Sequence, residues 1–326
     1  MQILSLENLK MYFLTLRGWV RAVDDVSFTL EKGDTLGLAG ESGCGKTSTA
    51  LCVLRLLPRN GKIFGGTINF EGKDILKLGE HELRREIRWK KISTIFQGAM
   101  NALHPTTKVG DQIIESIIAH EKISKKEARK RAESLLDLVG MGASRIDRYP
   151  HELSGGMKQR VMIAMSLACN PDLVIADEPT TALDVIIAAQ VLKVMKDLQH
   201  KLGLSMILIS HDLSMIAETC NRVAIMYAGK IVEQGDVASI YKEPLHPYTQ
   251  KLVSAFPSIV GPKTELSTIH GFPPDLLSPP PGCRFHPRCN YAMEICRNVE
   301  PATVFIGNKN HAVACHLISG EKSWKN

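Results

Sequence analysis

Gly40-Glu41-Ser42-Gly43-Cys44-Gly45-Lys46-Thr47 satisfies the pattern G-x-x-x-x-G-K-[ST] at every fixed position. Its flanks narrow the fold as much as the motif does. Asp34 to Ala39 reads as a short buried strand, and Thr47 to Leu57 carries apolar residues at helical spacing that stop at Pro58. Strand, glycine-rich turn and helix in that order predict an α/β chain built to hold phosphate. The glycines let successive backbone N–H groups wrap around an anion, and the positive end of the helix dipole adds attraction. Lys46 then reaches the β- and γ-phosphates of a nucleotide and the Thr47 hydroxyl coordinates Mg²⁺, with Gly40, Ser42, Gly43, Cys44, Gly45 and Ser48 around them.

At 326 residues the chain has room for one large or two medium domains. Apolar content of 44% and charged content of 23% describe a soluble globular protein. No apolar run approaches the ~20 residues that span a bilayer; Leu173 to Ala176 and Met206 to Ile209 read as core strands. Met1 to Ser5 shows no basic region followed by an apolar stretch, so no secretory signal is expected. Basic residues gather at Arg84, Arg85, Arg88, Lys90 and Lys91, and again between Lys122 and Arg131. Glu127 and Glu133 interrupt the second group and no aromatics interleave with it, so a solvated helix face is expected rather than a nucleic-acid surface. Of the eight cysteines, Cys44, Cys52, Cys169 and Cys220 are scattered as small buried fillers in a reducing compartment, while Cys283, Cys289, Cys296 and Cys315 crowd the tail.

In chain order, residues 2 to 9 and 21 to 30 predict strands. An aromatic ahead of the loop could stack on a nucleotide base; Phe13 is the first choice and Tyr12 the second, with a place in the core as the other reading for both. Residues 65 to 70 and Ile92 to Phe96 predict further strands, the latter ending at Gln97. From about Val109 the texture turns helical. Ser124-Lys125-Lys126-Glu127 is a capping-box pattern opening a helix that runs to Gly140, and Ser154 precedes another that extends to about Cys169. Leu173 to Ala176 then delivers Asp177 and Glu178 at a strand's carboxyl end, where ligands of open α/β sheets sit. Asp177 suits the Mg²⁺ shell and Glu178 a base polarising the attacking water. Asp184 opens a long helix stopped by Gly203; Ser205 to Ser210 is a strand handing over to His211, whose imidazole could bond to a γ-phosphate. Val223 to Tyr227 and Lys230 to Glu233 flank Ala228-Gly229 as a hairpin. His246-Pro247-Tyr248 begins a last helical piece to about Phe256, and Pro279-Pro280-Pro281 reads as an extended spacer.

Gly40 to Thr47, Gln97, Leu153 to Met157, Asp177-Glu178, Ala182-Leu183-Asp184 and His211 together resemble the ordered motif set of ABC-transporter ATPase subunits. Pro179 to Val185, His246-Pro247-Tyr248 and the cysteine-rich tail resemble the oligopeptide/dipeptide importer branch. The resemblance implies a P-loop NTPase fold with an antiparallel β subdomain. An ATPase domain would span 1–255, with a helical subdomain at about 98–160, and a small Pro- and Cys-rich extension would span 256–326. It implies ATP hydrolysis with Glu178, His211 and Gln97 as catalytic residues, and Thr47, Gln97 and Asp177 around Mg²⁺. Two such domains would meet head to tail, each ATP lying between one phosphate loop and the partner's Ser154, Gly155 and Gly156, where a second helix N-terminus meets the γ-phosphate. The implied partners are two integral-membrane permease subunits, a second, paralogous ATPase subunit and an extracytoplasmic substrate-binding protein, with no nucleic acid. The implied place is the cytoplasmic face of the membrane, as a peripheral subunit powering uptake of short peptides. Oligosaccharide cargo is the alternative, and a soluble ABC-type ATPase the rival class. Gly98-Ala99 stands where the family has Asp-Pro, and His104 where Asn is usual; both lie beside the groove for a cytoplasmic helix of the membrane subunit.

Cys283, Cys289, Cys296 and Cys315 are separated by five, six and eighteen residues, which offers no closely spaced C-x₂₋₄-C pair for structural zinc. Iron–sulfur clusters are commonly held by four cysteines, and the resemblance points to a [4Fe–4S] cluster. His286, His311 and His316 keep a Cys₃His zinc site open as an alternative, and unligated thiols are the third reading.

Overall fold

A computed structural model of the chain describes residues 1–98, 102–255, 269–307 and 311–319. In chain order it begins with strands β1 (Gln2–Thr15), β2 (Gly18–Glu31) and β3 (Thr35–Ala39), helix α1 (Lys46–Leu54), then β4 (Gly61–Phe70) and β5 (Lys73–Asp74). There follow the short α2 (Glu80–Glu82), β6 (Ile92–Ile95), α3 (Val109–Ile118), α4 (Lys125–Leu138), α5 (Gly155–Ser166), β7 (Leu173–Asp177), α6 (Val185–Leu202) and β8 (Ser205–Ile209). The last stretch carries α7 (Leu213–Thr219), β9 (Arg222–Tyr227), β10 (Lys230–Asp236), α8 (Val237–Lys242), α9 (Pro247–Ser254), α10 (Glu294–Asn298), β11 (Thr303–Ile306), β12 (His311–Ala314) and α11 (His316–Ser319).

Local chemistry accounts for the helix limits. At Ser124 the side chain accepts from the Glu127 N–H (3.3 Å) while the Glu127 carboxylate accepts from the Ser124 N–H (2.9 Å), the reciprocal cap its spacing announces. Asp184 accepts from the Ile187 N–H at 3.0 Å to open α6, and Gly203 closes it in the left-handed region at φ 63°. The helix after the phosphate-binding motif stops at Leu54, short of the expected Leu57, because Arg55 turns left-handed at φ 50° and returns its N–H to Cys52 and Leu51. The two N-terminal strands run longer than their alternation suggests. Asn8, at φ 50°, forms a bulge that shifts the register between Glu7 and Lys10, so β1 stays paired with β4 as far as Phe13 opposite Gly61.

The chain divides into two compact units. The first comprises Met1–Ile3, Leu30–Thr35 and Lys77–Ile209. Its sheet is parallel, with β7 central between β6 and β8; Ile92 pairs with Leu173 and Leu173 with Ser205. These strands are buried at every position, as runs covered on both faces must be. Helices α3, α4 and α5 pack on one another, and α5 also touches β6 and α6. On α4, Lys125, Lys126 and Lys130 are exposed, as expected of a solvated face, while Arg129 reaches Asp147 (2.7 Å) and Glu133 (3.2 Å) and the half-buried Arg131 reaches Glu121 (2.8 Å).

The second unit comprises Leu4–Thr29, Leu36–Leu76 and the chain from Ser210 on. One sheet is antiparallel in the order β2-β1-β4-β5. In the other, β3 lies parallel to β9, β9 returns as β10 through Ala228-Gly229, and β12 and β11 add antiparallel strands beyond β10. Tyr227 of β9, Tyr248 of α9 and Phe285 form an aromatic core in this unit, with ring centroids 4.7–5.3 Å apart. Asp24 pairs with Arg284 and accepts from the Tyr12 hydroxyl at 2.8 Å. Burial alone would raise the Asp24 carboxyl; those two partners outweigh it and hold it below the ordinary value.

His246 caps α9 by accepting the Tyr248 N–H at 3.0 Å, while its Nε2 finds no partner among the described residues. Complete burial pushes this imidazole down from 6.5 to about 4, against an upward pull from the Glu233 carboxylate. Between those two pH values the unfolded chain binds a proton that the folded chain refuses, so stability falls as pH falls through the window. The slope is at most roughly 1.4 kcal/mol per pH unit. His246→Asn keeps a capping side chain and removes the titration. The drop in urea midpoint between pH 7 and pH 5 should be smaller in this variant than in the wild type.

Candidate functional site

In the second unit the buried strand β3 ends at Ala39 and the chain enters the glycine-rich turn. Gly45 could not be another residue: at φ 108° a Cβ would lie 2.2 Å from the Ala22 carbonyl oxygen. Gly43 also has positive φ, 80°, but faces open space. Helix α1 starts at Gly45 with no side-chain cap, so the N–H groups of its first turn are left for an anion. Lys46 is buried and turned back into the loop, its Nζ donating to the carbonyls of Gly40 (2.7 Å) and Glu41 (3.1 Å). Ser42, Gly43 and Thr47 are exposed, Ser48 half-buried and Cys44 buried, which pushes its thiol pKa up.

In the first unit β7 brings Asp177 to its end as a buried side chain, and Glu178 follows at φ 44°, a left-handed conformation costly for such a residue. One Glu178 oxygen accepts from the Gln97 amide at 2.9 Å and from the Thr181 hydroxyl at 3.1 Å. The sequence singled out Gln97 and Glu178 separately; the structure places them in one hydrogen-bonded group. Thr181 was not singled out, although its motif was. Ser154 caps α5, accepting the Met157 N–H at 3.4 Å, and Gly156 permits a close approach, since a Cβ there would lie 2.4 Å from Ile187.

The remaining expected residues fall in varied places. His211 is exposed in the turn before α7. Phe13 is half-buried with its ring against Gly61. Tyr12 stacks on Phe64 at 4.8 Å, and Trp19 meets Phe64 edge-on at the same distance; burial and the bond to Asp24 push the Tyr12 hydroxyl up to about 12. Ala99 and Phe256 lie outside the described residues. All eight cysteines are free. Among the described residues no group of three or more His, Cys, Asp and Glu side chains is placed to hold a metal ion. The candidate histidines of the tail have other engagements: His311 with Glu233 (2.7 Å), His316 with the Val299 carbonyl (2.8 Å) and His286 with the Cys283 carbonyl (2.9 Å). Sequence reasoning missed Tyr248 and Arg288. The Tyr248 hydroxyl oxygen accepts the Glu41 N–H at 2.9 Å, and Arg288 grips the Glu41 carboxylate.

A parallel strand ending in a phosphate-binding loop, an Asp-Glu pair at another strand end and a serine-capped Gly-Gly helix start define an ATPase of the ATP-binding cassette class. The sequence profile described as "ABC transporter" matches residues 23–181, and that described as "Oligopeptide/dipeptide transporter, C-terminal region" matches residues 232–296. A dipeptide transport ATP-binding protein of Bacillus subtilis (strain 168) is 48% identical over 319 residues, covering 97% of this chain and 95% of that one. An oligopeptide transport ATP-binding protein of the same organism is 50% identical, covering 97% and 89%. Among solved structures, an ATP-binding cassette in a dimeric post-hydrolysis state with ADP and Pi matches with TM-score 0.64 and 26% identity, covering 72% of this chain and 99% of that one. The chain belongs to the family of oligopeptide/dipeptide ABC-transporter ATP-binding proteins.

The two loop glycines make a contrast that urea unfolding can read. Gly43→Ala should cost only the ~1–2 kcal/mol of left-handed backbone, whereas Gly45→Ala adds a clash with backbone that overpacking values place at ~1–3 kcal/mol more.

Proposed function

We propose that this chain hydrolyses ATP to power the import of short peptides through partner membrane subunits. The observation that carries the reading is the intact loop and Gln97–Glu178 group in a chain similar over almost its full length to peptide-transport ATP-binding proteins. In this reading Gly40 to Ser48 hold the phosphates, with Lys46 turning from the loop carbonyls to the β- and γ-phosphates. Thr47, Asp177 and Gln97 serve Mg²⁺, and Glu178 polarises the attacking water. Gln97 and Thr181 orient that carboxylate, and His211 bonds to the γ-phosphate. Phe13 or Tyr12 stacks on the base.

The partner across the nucleotide is a second, paralogous ATPase subunit, which receives Ser154, Gly155 and Gly156. Val185 and Ile186, 85% and 72% exposed beside Asp184, give such a partner apolar surface to cover. No helix among the described residues is long and apolar enough to cross a membrane. In this reading translocation belongs to two permease subunits, with an extracytoplasmic binding protein delivering cargo. The subunit then works at the cytoplasmic membrane face. Glu178→Gln should retain ATP binding and cut turnover by roughly 10²–10⁴, the worth of a general base. Near-normal hydrolysis in that variant would overturn the assignment.

For the tail we keep the [4Fe–4S] reading over zinc. Burial pushes the Cys283 thiol up to about 12 and the Cys315 thiol up to about 11, so both stay protonated unless a metal takes the proton's place. Protein purified without oxygen should contain iron and acid-labile sulfide, and Cys289→Ser should lose both. Stoichiometric zinc in a colourless preparation would refute the cluster.

A further inference from the structure

The first variable residue of the phosphate loop, Glu41, is held from outside the loop at both its backbone and its side chain. Its N–H donates to the hydroxyl oxygen of Tyr248, which is fully buried among Tyr227 and Phe285. Its carboxylate receives both terminal nitrogens of Arg288, at 2.6 and 3.0 Å. Arg288 is fixed in turn: its side chain is 6% exposed and lies over the Tyr227 ring. It also donates to the Tyr227 hydroxyl (3.3 Å) and to the carbonyls of Ile269 (3.3 Å), His270 (3.0 Å) and Gly271 (3.2 Å). A guanidinium with this many engaged donors is a rigid fork, and Lys could not reproduce it.

Two consequences follow for a loop that must accept phosphate. When Lys46 turns to the nucleotide it releases the carbonyls of Gly40 and Glu41, and the hold on this end of the loop passes to the external contacts. The Glu41 carboxylate is also a negative charge on a loop built to receive several more, and the bidentate guanidinium cancels it.

We propose that Arg288 and Tyr248 are positioning residues for nucleotide binding, clamping Glu41 so that the loop keeps its anion-accepting shape and the carboxylate does not repel the phosphates. The proposal rests on the assignment of residues 40 to 48 to the nucleotide. Neither residue touches the phosphates; both act through Glu41.

The test uses the full-length chain, a fluorescent ATP analogue with Mg²⁺, steady-state ATPase kinetics and urea midpoints. Arg288→Ala should weaken analogue binding roughly 10- to 100-fold, the range for a charged hydrogen-bonding group, with KM rising and kcat changing little. Arg288→Lys should recover only part of the loss. Adding Glu41→Gln to Arg288→Ala should restore most of the affinity, because the uncompensated charge is gone; a residue that merely docks the C-terminal segment would not be rescued there. Tyr248→Phe, which keeps the ring packing, should weaken binding about 2- to 10-fold at an unchanged urea midpoint. Wild-type affinity in both Arg288→Ala and Tyr248→Phe overturns the clamp, as does a loss in Arg288→Ala that Glu41→Gln leaves unrepaired. Wild-type affinity in Lys46→Ala overturns instead the phosphate assignment beneath it.

Discussion

A single fully buried carboxylate, Glu233, organises the second unit. It accepts from the imidazole of His311 (2.7 Å) and from the backbone N–H groups of Leu245 (2.8 Å) and His246 (2.9 Å). Left without those donors, a charge at this depth would cost several kcal/mol. Strand β10, the entry to α9 and strand β12 are therefore bound to one point. Helix α9 then presents Tyr248 to the aromatic core and, through its hydroxyl, to Glu41. The shape of the phosphate loop thus depends at second hand on a residue almost two hundred positions away.

The first unit solves a different problem. The chain leaves β7 in a strained conformation at Glu178, φ 44°, and is strained again at Ala182, φ 65°. Gln97 and Thr181 converge on the same Glu178 oxygen, so the strain is stabilised by contacts from β6 and from the turn itself. Helices α5 and α6 begin close together, Gly156 against Ile187, and the exposed Val185 and Ile186 sit beside that junction. The exposed apolar pair and the Glu178 carboxylate are thereby carried on one short stretch of chain.

What could be read from the sequence was what chain neighbours decide. The capping box at Ser124, the Asp184 and Gly203 ends of α6 and the apolar runs of β7 and β8 are local signals, and the structure has them where they were expected. The loop motif was legible because its chemistry demands glycine and lysine at fixed spacing. The bulge at Asn8 and the early stop at Arg55 were not, since each depends on a left-handed backbone conformation at a residue that is not glycine, which no local pattern announces. Arg288 left no trace, and Tyr248 was read only as part of a helix start, because their contacts with Glu41 span 247 and 207 positions. For the tail cysteines the sequence offered spacing alone, and spacing left a cluster, zinc and unligated thiols all open.

Similarity marks off an ATP-binding segment at 23–181 and a C-terminal one at 232–296, as though the second were an appendage. The ion pairs of the second unit ignore that boundary. Arg284 is the partner of Asp24 and Arg288 that of Glu41, while Gly229 in the hairpin turn donates its N–H to the carbonyl of Cys44. A chimera that joined this cassette to a relative's tail would have to carry all of these partners across together, because the two matched segments are tied into one compact unit by ion pairs that cross between them.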